Sequence, residues 1–176
     1  SSLGTLEIDG DSTAPGGLSA AVTGAGSISL ADANSLWIQS ATTTNGSVNL
    51  VAAVALTVET VTAGSGNLVT MSVTSGSISD GNGTTINITG ASTILSAGAG
   101  IGSLADPLET SLLNLEASGG TGGVFVANTG SLTLEGLTGG LSGVTATGGN
   151  INLSTSGSLS LSESVVASGN AATVTL

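Results

Sequence analysis

The chain has 176 residues, of which 39% are hydrophobic and 6% charged, and its eleven Asp and Glu are answered by no Lys, Arg or His, for a formal net charge of −11. Without an imidazole, a cysteine thiolate, an amine or a guanidinium, catalysis near neutral pH loses its usual bases, nucleophiles and anion clamps, so the chain reads as a non-enzyme. The unanswered negative charge repels nucleic acid and anionic membrane surfaces, and the aliphatic content sets the chain apart from a disordered acidic tail.

In chain order, Leu3-Gly4-Thr5-Leu6-Glu7-Ile8 reads as a strand without a cap before it. Glu7, Asp9 and Asp11 then alternate, so an extended backbone points all three carboxylates one way, where they repel unless a cation intervenes. From Gly26 a longer unit begins, with apolar residues at Ile28, Leu30, Leu36 and Ile38. It recurs from Gly46 (Val48, Leu50, Leu56, Val58), from Gly122 (Val124, Val126, Leu132, Leu134) and from Gly149 (Ile151, Leu153, Leu159, Leu161). Each unit holds two short strands of apolar-polar-apolar alternation, hence one buried face per strand. After Gly66 the residues Leu68, Met71, Val73 and Ile78 leave the frame, and residues 95–121 are the least regular stretch, with Pro107 confined to a turn or strand edge. The chain stops on Val174-Thr175-Leu176, again a strand in mid-pattern.

Gly26 to Gly46 and Gly149 to Gly169 are each 20 residues apart, while Gly122 to Gly149 is 27, a common period with insertions. One unit of two short strands cannot cover its own apolar face; stacked units can, in one continuous column. The expected fold class is therefore all-β, a parallel β-helix (β-solenoid) of about 20 residues per coil, forming a single domain over residues 1–176 with an expanded coil around 95–121. At about 4.8 Å per coil, roughly eight or nine coils make a rod on the order of 40 Å. No apolar run approaches the roughly 18 residues of a membrane-spanning helix.

Oxygen-only ligands suit calcium, so Glu7, Asp9 and Asp11 form one candidate metal site, and Asp80, in Asp80-Gly81-Asn82-Gly83, a second; a solvated acidic corner is the plainer reading of both. No other cofactor is expected. Trp37 and Phe125 occupy the polar middle place of Leu36-Trp37-Ile38 and Val124-Phe125-Val126, which turns both rings outward as contacts to a neighbouring chain or as ligand platforms. Asn49, Asn87 and Asn152 fill the same middle place and are expected to face solvent. Paired acids suffice for some glycosidases, but two aromatic residues make a poor sugar platform.

The run Gly149-Asn150-Ile151-Asn152-Leu153 followed by Gly157-Ser158-Leu159-Ser160-Leu161 resembles the repeats of filamentous-haemagglutinin-like proteins, which are large secreted bacterial adhesins. So does Ile101-Gly102 leading through Pro107-Leu108 to the stretch from Gly123 to Leu134. The resemblance covers most of residues 26–176 and rests on low-complexity motifs. It implies a right-handed β-helix at the bacterial cell surface or in an exported, extracellular fibre, and the absence of cysteine agrees with a secreted protein held together by repetition. The function expected is a structural segment of a fibre or adhesin shaft, stacking end to end into a filament and bundling laterally. A ligand-binding adhesin module that recognises glycans or another cell surface is the alternative.

Overall fold

The computed structural model describes residues 6–8, 17–137 and 140–176, the first three by their backbone alone. Among them every strand pairing is parallel and no helix occurs. The strands stack as a β-solenoid of about seven turns with about 22 residues per turn. One sheet takes Ile28–Asp32, Val48–Ala52, Leu68–Val73, Ser92–Ala97 and Asn114–Gly119 from successive turns; the other takes Ser35–Thr43, Ala55–Thr62, Gly123–Asn128 and Ile151–Thr155, with shorter strands between.

Alternation decides what the column contains. Ile28, Leu30, Val48 and Leu50 point inward from the first sheet and meet Leu36, Ile38, Leu56 and Val58 from the second, all of them essentially fully buried. Parallel register puts like upon like, Ile28 beside Val48 and Leu36 beside Leu56, so aliphatic side chains stack along the axis. Each such side chain contributes about 1.5–3 kcal/mol by leaving water.

The break in the frame after Gly66 is a corner insertion. Val48 pairs with Val69 and not with Leu68, because 64–67 forms a wider turn in which Asn67 N donates to Gly64 O at 2.9 Å. Gly66 supplies the left-handed φ of +77° that this turn needs. Val69, Met71 and Val73 thereby keep their inward phase, which a one-residue slip within a strand would have reversed.

Three longer excursions account for the remaining irregularity. Ala55–Thr62 is continuous, but in the next turn its partners are two strands, Ile78–Asp80 and Ile88–Thr89, separated by 81–87. One turn further, Gly100–Ile101 and Leu108–Ser111 are separated by 102–107, and both rejoin on the single strand Gly123–Asn128. In the first sheet Asn114–Gly119 likewise pairs with both Leu132–Leu134 and Val144–Thr147. Excursions lengthen a turn without adding one. That is why turns average nearer 22 residues than 20 and number about seven, not eight or nine.

One buried polar side chain ties neighbouring turns together at a corner. Asn128, at a corner, accepts from Thr110 Oγ1 and from Leu112 N, each at 2.9 Å, and returns a bond from its Nδ2 to Leu112 O at 3.3 Å.

Candidate functional site

The excursions 81–87 and 102–107 leave the same sheet at the same place in successive turns, and between them they gather the acids of this face. The strand Ile78–Asp80 ends on Asp80, whose Oδ1 accepts from Asn82 N at 2.8 Å and from Asn87 Nδ2. Asn82 Nδ2 in turn donates to the carbonyl of Glu59 on the preceding turn. Asn87 is fully buried, and its Nδ2 also lies within hydrogen-bond distance of Val58 O and Asn82 Oδ1, each at 3.0 Å. Its Oδ1 accepts from Glu109 N at 2.8 Å. The middle place of Ile86-Asn87-Ile88 is therefore not a solvated surface position: the excursion folds the amide inward, where one side chain joins three turns.

On the next turn 102–107 is closed by Ser103 N donating to Asp106 O at 2.9 Å and Asp106 N to Ser103 Oγ at 3.1 Å. Pro107, which lacks an N–H, sits at the exit of this loop just before the strand Leu108–Ser111, a place where no ladder bond is asked of it. Ser77, Ser79, Asp80, Gly102, Ser103 and Asp106 line a cleft of about 260 Å³.

Negative charges crowd this cleft with no cationic side chain to answer them. The Asp106 carboxyl is held above the ordinary value by loss of hydration first, then by the charge of Asp80 and a hydrogen bond with it. Glu109 is raised by burial, then by Asp80 and Asp106, against a lowering hydrogen bond from its own backbone. Asp80 Oδ2 and Glu109 Oε2 are both shielded from solvent and without a hydrogen-bond partner. The local chemistry is thus one in which Asp106 and Glu109 gain by holding a proton.

Of the calcium candidates, Asp80 lies in this cleft, while Asp9, Asp11 and the side chain of Glu7 lie outside the described residues. Among the described residues no three acidic side chains converge as metal ligands. A further carboxylate, Asp32, is only 4% exposed at the end of Ile28–Asp32; its Oδ1 accepts from Asn34 N at 2.7 Å and its Oδ2 has no partner.

The two aromatic residues behave differently from each other. Trp37 is half-buried on the outer face, and its indole N–H donates to Glu59 Oε1 one turn on, at 3.1 Å. Phe125, although it holds an outward place by register beside Asn152, is only 9% exposed and offers little of its ring to a neighbour. Asn49 lies on the outer face as expected and donates to Ser29 Oγ on the previous turn at 3.3 Å. Elsewhere a neutral recess of about 530 Å³ runs along one corner, where the two-residue turns at 90–91 and 112–113 are shorter than the turns on either side. Leu113 stands 62% exposed within it.

Asp80 was visible in the sequence as a candidate, whereas Asp106, Glu109 and Asn87 were not brought to it. The signal that would have found them is the pair of Gly- and Asn-rich or Pro-containing interruptions, Asp80-Gly81-Asn82-Gly83 and Gly102 to Pro107, recurring about one turn apart. Comparison of the chain with protein-family models, with curated proteins and with solved structures finds no match.

Proposed function

We propose that this chain is a structural, non-catalytic segment of an extracellular bacterial fibre or surface adhesin shaft, in which solenoid turns stack end to end into a rigid rod. The observation that carries the reading is register. Like residues lie one over another along the column, Ile28 beside Val48, Leu36 beside Leu56 and Leu134 beside Leu161, so successive turns offer one another the same apolar row and the same parallel backbone edge. Repetition of that kind builds length along one axis, which is the geometry of a rod. Resemblance to filamentous-haemagglutinin-like repeats and a surface rich in Ser, Thr and Gly support the same reading.

The glycan-reading alternative draws less support, since the indole N–H of Trp37 is already engaged and Phe125 is covered. Sedimentation velocity over a concentration series, with electron microscopy of the same samples, tests the proposal. The rod reading expects linear particles that lengthen with concentration, and expects Leu161→Asp to abolish them. Globular monomers at every concentration, or fibres indifferent to Leu161→Asp, would sink it.

A further inference from the structure

The chain contains two Asn–Gly pairs, Asn45–Gly46 and Asn82–Gly83. At such a pair the glycine backbone nitrogen, on losing its proton, can attack the Asn side-chain carbonyl carbon. The new C–N bond closes a succinimide ring and the side-chain nitrogen leaves as ammonia. Water then adds at either ring carbonyl, giving aspartate by one opening and isoaspartate by the other, with no oxidant, reductant or enzyme required. Glycine favours the step because no Cβ shields its nitrogen or restricts its backbone.

The structure sets the two pairs in opposite circumstances. Asn82 is held at three points: its N donates to Asp80 Oδ1, its Nδ2 to Glu59 O, and its Oδ1 accepts from Asn87 Nδ2. Its side chain cannot swing toward the Gly83 nitrogen without breaking this network. Asn45 is exposed in the bend between Ser35–Thr43 and Val48–Ala52, and neither its side-chain amide nor the Gly46 N–H makes a hydrogen bond.

The glycine at this corner is also fixed by packing. A Cβ on Gly46 would lie 1.8 Å from the carbonyl oxygen of Gly26 on the turn before, so only glycine lets these two turns approach. Close stacking therefore fixes a glycine directly after an unrestrained asparagine.

We propose that Asn45 is a site of spontaneous succinimide formation and deamidation, and that the fold protects the chemically equivalent Asn82. This inference stands apart from the rod reading. Its structural consequence follows from the isoaspartyl product, which adds a methylene to the main chain at a corner where Gly46 O accepts from both Gly64 N and Thr43 Oγ1.

The test is incubation of the full folded chain in mildly alkaline buffer, with converted residues located by the mass gained on deamidation in fragment spectra of chymotryptic peptides, since trypsin has no site. A parallel sample in denaturant supplies the intrinsic rates. The folded chain is expected to convert Asn45 at least about tenfold faster than Asn82, equivalent to about 1.4 kcal/mol between the two barriers, while the denatured chain converts both at similar rates. Asn45→Gln is expected to remove the fast phase. Equal rates at the two positions in the folded chain, or an Asn45 that stays intact while the denatured chain reacts, would overturn the proposal.

Discussion

The side-chain oxygen of Asn87 accepts the backbone N–H of Glu109 at 2.8 Å, and the backbone N–H of Asn87 donates to the Glu109 carbonyl at 2.9 Å, so a single asparagine fastens one solenoid turn to the next through both its side chain and its main chain. With its Nδ2 turned toward Val58 and Asp80, it closes the sheet where the excursion 81–87 interrupts it.

Replacing this amide should therefore cost more than a surface asparagine would. Asn87→Ala leaves the Glu109 N–H without its side-chain acceptor and removes the donor that Asp80 Oδ1 and Asn82 Oδ1 share, and a loss of about 2–4 kcal/mol in denaturant unfolding is expected. Asn49→Ala, on the outer face with one bond to Ser29, serves as the comparison and should cost under about 1 kcal/mol. Equal costs for the two would refute the role assigned to Asn87.

Two glycines near the same corner should respond in opposite ways to a methyl group. Gly24 has open space around a built Cβ and no left-handed φ, so Gly24→Ala should be neutral or stabilise by up to about 1 kcal/mol through the unfolded state. Gly46→Ala forces Gly26 and Gly46 apart and should abolish cooperative melting or lower the melting temperature steeply. A well-folded Gly46→Ala protein with an unchanged melting temperature would contradict the close stacking described here.

The acid cleft predicts an inverted pH response. Both Asp106 and Glu109 are raised above their ordinary values in the folded state, so the fold favours their protonated forms. That contribution is present in full below the ordinary carboxylate range, near pH 4, and is lost as pH rises through the raised folded values. The wild-type chain should melt at a higher temperature in mild acid than at neutrality. Asp106→Asn should raise the neutral melting temperature and flatten the slope. An Asp106→Asn protein with the wild-type slope would show that the dependence arises from the other acids.

Leu134 and Leu161 lie in register on adjacent turns but differ in what covers them. Leu134→Ala should cost about 2–5 kcal/mol at any protein concentration. Leu161→Ala should cost under about 1 kcal/mol in dilute solution, and more as concentration rises if a second copy stacks on that turn. Chemical denaturation at two protein concentrations distinguishes the cases, and a concentration-independent effect at Leu161 would count against stacking.

Much of this molecule could be read from residue types in order. Ile28, Leu30, Leu36 and Ile38 announce two inward-facing strands, and their recurrence from Gly46 announces the turn beneath which they lie. The same rule failed at Asn87 because alternation assigns faces only where the strand continues, and 81–87 departs from the sheet before that residue returns to it. At Phe125 the rule gave the correct face but not the burial, since exposure depends on what else comes to lie over that face.

The sequence by itself determined the class of fold: alternation with a period of two fixes which residues are inward, and recurrence near 20 residues requires that turns stack to cover them. Tertiary structure alone decided how the exceptions were absorbed, sending one extra residue into the corner at 64–67 and whole loops outward at 81–87 and 102–107. The reason is that local pattern governs a side chain's direction, whereas the meeting of Asp80, Asp106 and Glu109 depends on register between turns, which is set by the packing of the entire column.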